Sequence, residues 1–148
     1  MSERHSRSVL FAGIGAEGQK RIGACSIAFV GVGAVGAAAA ESAARAGFGR
    51  IRLIDRDVVE ESNLARQFLY DAADAAAVSA KAEAAAHRLL KIAPDLAVSG
   101  VVADLDAGNA VDLLSGYDVV FDASDNFETR FLVSDAARFL KRPSVYAA

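Results

Sequence analysis

Glycines 31, 33 and 36 form the run G-V-G-A-V-G, and Asp55 follows Gly36 by nineteen residues. Ser62, Asn63, Arg66, Gln67 and Lys81 come within the next thirty. Glycines let a backbone approach a nucleotide closely, and a helix opening at such a turn presents free N–H groups to negative charge. A carboxylate at the end of the next strand can accept hydrogen bonds from ribose hydroxyls. If Ser62 caps a short helix, Asn63, Arg66 and Gln67 project from its first turns. Arg66 then offers a planar fork matched to phosphate oxygens, Asn63 a donor without charge, and Lys81 a point charge for the same phosphates. Asp125, in D-A-S-D-N, fits a ligand for nucleotide-bound Mg2+, which takes one or two carboxylates plus phosphate oxygens. With Glu128 three residues on, it fits a helix capping box equally well.

Each of these residues also has a plainer explanation. The glycines suit tight strand–helix packing, and by themselves they leave ATP, NAD and FAD open. Asp55 and its neighbour Asp57 both suit a solvated strand end, with spacing favouring Asp55 for ribose. Arg66 and Gln67 are ordinary on a polar helix surface, and a lone lysine is usually solvated. Cys25 reads as packing, His87 has no metal-ligand partner at suitable spacing, and no Ser-His-Asp or Cys-His arrangement can be assembled.

The elements that must position these groups alternate. Apolar runs predict parallel strands at 26–30, 51–55, 97–102, 118–123 and 144–147. Helices are expected at 34–46 (closed by Gly47), 78–93, 107–114 and 127–140. Two short helices at 3–10 and 16–22 precede them. The expected fold is α/β: a Rossmann-like, doubly wound, mainly parallel sheet with an N-terminal helical extension. Ligands lie beyond the carboxyl ends of the strands in such sheets.

Composition narrows the classes further. The 148 residues suit one domain, and 53% are apolar, a fraction inflated by alanine. Glu41 and Arg45 interrupt the most apolar segment, so no membrane span is expected. The N-terminus lacks an apolar signal core. One cysteine excludes an internal disulfide and a cysteine-built zinc site, and a reducing, cytoplasmic compartment is expected. Residues 1–50 hold six Lys and Arg against three Asp and Glu, whereas residues 101–148 hold four against eight. That distribution argues against nucleic acid as a partner.

From R-H-S-R at 4–7 to the last strand, the chain resembles the ThiF/MoeB-type adenylyltransferases, bacterial relatives of the ubiquitin-activating enzymes. The likeness rests on R-x-x-R, G-A-E-G-Q at 15–19, G-x-G-x-x-G, L-I-D-x-D, S-N-L-x-R-Q, a downstream K-A and D-A-S-D-N-F-E-T-R. It implies ATP and Mg2+ as cofactors and a ubiquitin-like or sulfur-carrier protein with a C-terminal glycine as partner. The carrier's carboxylate is adenylylated and pyrophosphate released. Asp55 is implied on the ribose, Asn63, Arg66, Gln67 and Lys81 on or near the phosphates, and Asp125 on Mg2+. Arg7 is implied to reach the partner subunit's ATP site, so a homodimer is expected.

Against the family pattern, Ala34 replaces a second glycine of the turn, His5 a tyrosine, and Val78 and Ala80 a glycine and a proline before the lysine. The expected organisation is one ThiF-type nucleotide-binding domain over 1–148, with N-terminal helices at 1–25 and the core at 26–148. The family's carrier-binding, zinc-bearing C-terminal part is expected to be absent, so no zinc is expected in this chain. Cys25 matches no reactive cysteine of the family. Two other functions fit part of the pattern. A non-catalytic dimeric ATP-binding scaffold has no need of Arg7, Arg66, Lys81 and Asp125 together. An NAD-binding domain fits the glycine turn and Asp55, but leaves Arg66, Lys81 and Asp125 without a shared purpose.

Overall fold

The computed structural model describes residues 3–147. A 3-10 turn at Glu3–His5 leads into α1 (Ser6–Leu10) and α2 (Gly15–Ala24), the N-terminal extension. β1 (Ser26–Val30) is buried along its whole length, as a strand covered on both faces must be. α3 (Ala34–Ala46) buries Gly36, Ala37, Ala40, Ala43 and Ala44, small side chains that bring it close to the sheet. It ends at Gly47, whose left-handed φ of +91° is the usual helix stop.

β2 (Arg50–Ile54) is followed by a 3-10 turn at Glu61–Asn63, then α4 (Ala72–Ala76) and α5 (Lys81–Ile92). β3 (Ala97–Val101), α6 (Ala110–Leu114), β4 (Val119–Asp122), α7 (Phe127–Phe139) and β5 (Ser144–Tyr146) complete the order. The five strands form one sheet in the order β3-β2-β1-β4-β5, and every pair is parallel. This is the α/β, Rossmann-like fold expected from the sequence.

The period-two alternation of β1 divides the core. Ile27 and Phe29 pack with Ile51, Leu53 and the α3 and α5 residues Ala40, Ala85 and Leu89 on one face. Ala28 and Val30 pack with Ile54, Val120, Leu114 and Val133 on the other. At the amino end of the sheet, Asp118 Oδ2 accepts from Ser26 N–H (3.0 Å) and Ser26 Oγ (2.7 Å), clasping β4 to β1. These bonds hold the Asp118 carboxyl below the usual carboxylate value. On α2, Gln19 Nε2 donates to Ala46 O at 2.8 Å, and His5 Nε2 lies 3.2 Å from Arg45 O. Both contacts tie the extension to the last turn of α3.

Most element boundaries fall within one or two residues of expectation, but three expectations need correction. The helix expected over 78–93 starts at Lys81, because residues 79–81 are occupied elsewhere. Val58 bridges Ala80 in antiparallel fashion, Val59 N–H donates to Ser79 O (2.8 Å), and Lys81 N–H donates to Asp57 O (2.9 Å). Val78 sits at φ +51°, and Asp71 caps the separate helix α4 through Ala73 and Asp74 N–H. The helix expected at 107–114 begins only at Ala110. Ser62 caps nothing: it lies inside the 3-10 turn, and Asn63 Oδ1 accepts from Glu60 N–H at 3.2 Å instead.

Candidate functional site

Strand order reverses at β1, which has β2 on one side and β4 on the other. An open cleft of about 900 Å³ lies beyond the carboxyl ends of these strands. This is where a doubly wound sheet places ligands, because the connections leave β1 and β4 in opposite directions.

The glycine turn forms the cleft floor, and its three glycines answer to different constraints. Gly31 lies at φ +86°, and a Cβ there would stand 2.7 Å from Ala123 O. At Gly36, which does not line the cleft, a Cβ would stand 2.0 Å from Gly31 O. Both are glycine so that helix, turn and the end of β4 can touch. A Cβ at Gly33 would meet only Gln67 Nε2, at 3.9 Å. No internal contact requires glycine there, and its bare backbone faces the cleft at the start of α3. The helix's first N–H groups are therefore offered to an anion.

Asp55, one residue past β2, secures this turn. Its Oδ2 accepts from Val32 N–H at 2.7 Å and its Oδ1 from Asp57 N–H at 2.8 Å. Burial pushes the carboxyl above its ordinary value, opposed by these two bonds and the Lys81 charge and reinforced by Asp57. A carboxylate oxygen has two lone-pair sites, so each Asp55 oxygen retains acceptor capacity toward the cleft. The Tyr70 hydroxyl, which sequence reasoning missed, donates to Val32 O at 2.7 Å and lies 3.3 Å from Lys81 O. Its burial, with Asp55, Asp74 and Asp57 nearby, lifts the phenol far above its ordinary pKa, so it remains a neutral donor.

Asn63, Arg66 and Gln67 come to the wall from the 3-10 turn and the segment after it. Asn63 and Gln67 are buried, and the Gln67 Oε1 has no hydrogen-bond partner. Arg66 is exposed, with NH1 donating to Ser62 O at 2.9 Å. Lys81, expected to be solvated if it stood alone, has a side chain only 9% exposed, and its Nζ lies 3.1 Å from Asp57 Oδ2.

Asp125 stands on the opposite rim, after β4. A tight turn puts it there: Asp122 Oδ1 accepts from Ser124 N–H (3.0 Å) and Oγ (2.6 Å). The two sequence explanations of Asp125 now separate. The cap of α7 is Asn126, whose Oδ1 accepts from Thr129 N–H at 2.9 Å, so Asp125 is not the capping residue. It is exposed at the cleft edge, where its Oδ1 lies 3.4 Å from Asn126 Nδ2. Arg130, which the sequence placed in a motif without a role, also lines the cleft. It donates to Ser124 O at 2.7 Å and packs over the Tyr146 ring.

One cleft thus gathers Gly31, Gly33, Asp55, Asn63, Arg66, Gln67, Lys81 and Asp125, but not Gly36 or Arg7. Arg7 is exposed on α1. The neighbouring contact of His5 with Arg45 O fixes this region at the far end of α3. α3, thirteen residues and roughly 20 Å long, runs from the cleft to that end. The lining carries four basic side chains (Arg56, Arg66, Lys81, Arg130) against five acidic ones (Asp55, Asp57, Glu60, Asp104, Asp125). Two of the cations are already paired, Lys81 with Asp57 and Arg56 with Asp104 at 2.7 Å. No group of three or more His, Cys, Asp or Glu suited to holding a metal occurs among the described residues. Nor, among them, is any helix long and apolar enough to cross a membrane.

Comparison with known proteins bears on the family and the fold. Residues 5–148 match the ThiF family. Over 148 residues the chain is 45% identical to the sulfur carrier protein ThiS adenylyltransferase of Bacillus subtilis, covering all of this chain and 44% of that protein. It is 40% identical over 146 residues to the SAMP-activating enzyme E1 of Haloferax volcanii, covering 99% of this chain and 53% of the relative. The chain therefore spans about half the length of these relatives. Its fold superposes with TM-score 0.83 on the crystal structure of E. coli tRNA N6-threonylcarbamoyladenosine dehydratase, TcdA, in complex with ATP. That match has 33% identity and covers 89% of this chain and 54% of the other.

Proposed function

The chain belongs to the ThiF family, and from that premise we propose that it binds ATP with Mg2+ and adenylylates the C-terminal carboxylate of a ubiquitin-like or sulfur-carrier protein. The observation that carries this reading is the convergence of the bare Gly33 backbone, Asp55, Arg66, Lys81 and Asp125 on one cleft at the sheet's switch point. An NAD-binding site gives Arg66, Lys81 and Asp125 no common task.

In this reading the spare acceptor sites of Asp55 take the ribose hydroxyls. The first N–H groups of α3, with Asn63, Arg66, Gln67 and Lys81, receive the phosphates. The carrier's carboxylate oxygen attacks the α-phosphorus, one P–O bond forms, and the bond to pyrophosphate breaks, leaving an acyl-adenylate. The protein's contribution is positioning and the stabilisation of phosphate charge.

The charge balance of the lining supports the metal and the second subunit. A tetra-anionic nucleotide entering a cleft with more acids than bases needs positive charge from outside the chain. The exposed carboxylate of Asp125 fits Mg2+, which takes few protein ligands and completes its shell with phosphate and water. When bound, the ion neutralises phosphate charge. Arg7, held far from its own cleft, is suited to supply a further cation to the cleft of a second copy, which makes the protein a homodimer.

Calorimetric titration with ATP and with NAD+, each with and without Mg2+, tests the reading. Mg2+-dependent ATP binding without NAD+ binding is expected, whereas comparable NAD+ binding overturns it. Asp125→Ala is expected to weaken ATP binding at least tenfold with Mg2+ present and little without it, for loss of about one charge-assisted contact. Equal loss in both conditions removes Asp125 from the metal. Pyrophosphate release with a glycine-terminated sulfur-carrier protein separates the enzyme from a scaffold that only binds nucleotide.

A further inference from the structure

Lys81 presents a physical problem that phosphate binding alone does not solve. Its side chain is almost wholly buried, and a buried ammonium without a counter-ion is costly to keep charged. Asp57 supplies that counter-ion at 3.1 Å, from a side chain that is itself 57% exposed. The pairing is also built into the backbone. Asp57 O accepts the Lys81 N–H, and Asp57 N–H donates to Asp55 Oδ1. Val58 and Val59 pair with Ala80 and Ser79 beside it. The carboxylate and the ammonium therefore face each other across a two-stranded clip whose register is fixed on both sides. Asp57 touches the same cleft that the phosphates must enter, yet as an anion it opposes them.

We propose that Asp57 is a positioning residue that latches the Lys81 ammonium in the cleft wall, so that only a strongly charged anion can take the lysine over. The inference rests on the phosphate-binding role of Lys81 given above. The latch keeps the Lys81 side chain aimed, and it sets a threshold for capture. A weakly charged anion cannot replace the Asp57 carboxylate at the ammonium, but a polyphosphate can. Removing the carboxylate leaves a buried ammonium with only the charge of Asp55, not in direct contact, beside it, so the incoming anion becomes its nearest counter-ion. Anion affinity then rises, and the rise depends on Lys81.

The test titrates inorganic tripolyphosphate, at low ionic strength, into the full chain and its Asp57→Asn, Lys81→Met and doubly substituted forms. Asn retains the backbone N–H and C=O that form the clip. Asp57→Asn is expected to bind up to about fivefold tighter, the scale of one partly exposed ion pair. The same change in the Lys81→Met background is expected to give a clearly smaller gain, the part owed to the Asp57 charge alone. Asp57→Glu, which keeps the charge and can re-form the pair, is expected to return affinity to that of the original chain. A gain of equal size with Lys81→Met means that Asp57 acts only through its field, and overturns the latch. Weakening confined to Mg2+-ATP places Asp57 on the metal, and also overturns it. If the unaltered chain binds tripolyphosphate and ATP but Asp57→Asn changes nothing, the inference falls and the proposed function stands. Failure of the unaltered chain to bind either ligand overturns both.

Discussion

Asp55 is one carboxylate asked to do two things. It holds the glycine turn and the start of the 57–59 segment by two N–H bonds, and it faces the cleft with its remaining lone pairs. Its pKa, raised chiefly by burial, makes the two tasks separable by pH. As pH falls through that raised value, above the ordinary 3.8, the group takes up a proton and loses acceptor capacity, so nucleotide affinity is expected to fall. Stability runs the other way. Between the ordinary and the raised value the folded chain binds more protons than the unfolded one, so folding stability falls as pH rises through that window. Calorimetric ATP titrations across the acid range, with Asp55→Asn as reference, test this. The ratio of the two affinities cancels the nucleotide's own protonation, and a ratio independent of pH would remove Asp55 from ribose binding. Its spacing from Gly36 made Asp55 legible in the sequence. Asp125 was legible as a choice between metal ligand and helix cap, which spacing left open, because D-N before a helix offers two capping side chains. Only the reach of Asn126 to Thr129 N–H shows which one is used.

At the scale of elements, the strands and α3 could be read from their apolar runs and glycine stops, which are local signals. Residues 56–81 could not, since their conformation is set by pairing across the clip rather than by periodicity. The alanine-rich stretch suggested helix from 78, yet Val78 takes a left-handed conformation that a β-branched residue rarely adopts. That conformation costs about 1–2 kcal/mol for an L-residue, against roughly 0.5–1 kcal/mol of extra chain entropy for glycine. Val78 is 59% exposed, so little apolar burial offsets the strain. Val78→Gly is accordingly expected to stabilise the protein by about 0.5–1 kcal/mol, read as a higher urea midpoint at unchanged slope. A lower midpoint would mean that the valine side chain holds the loop.

For the whole molecule, the decisive separation is that between Arg7 and its own cleft. If Arg7 serves a partner, Arg7→Ala and Lys81→Met damage different halves of one composite site. Each variant alone is expected to bind ATP poorly. Mixed and allowed to exchange, they form heterodimers with one intact cleft, and about a quarter of all sites recover. No recovery in a mixture shown to contain heterodimers assigns Arg7 to its own subunit or to no site. The extension carrying Arg7 was predicted as two short helices. Its attachment to the end of α3 through His5 and Gln19 carried no sequence signal, because both contacts are to backbone carbonyls 27 and 40 residues away.

The position of β1, paired on both sides, has a consequence in time. Its partner β4 is clasped to it by Ser26 and Asp118, 92 residues apart in the chain. Closing so long a loop is entropically slow and precedes any reward from the contacts it brings. Until β4 docks, the wall bearing Asp125 and Arg130 does not exist and the glycine turn lacks its backing at Ala123. The half-site made by β1, α3 and β2 can form early, from neighbouring segments. In the proposed reading, capacity to bind nucleotide is then expected to appear late and all at once, so ligand capture would report completion of the fold.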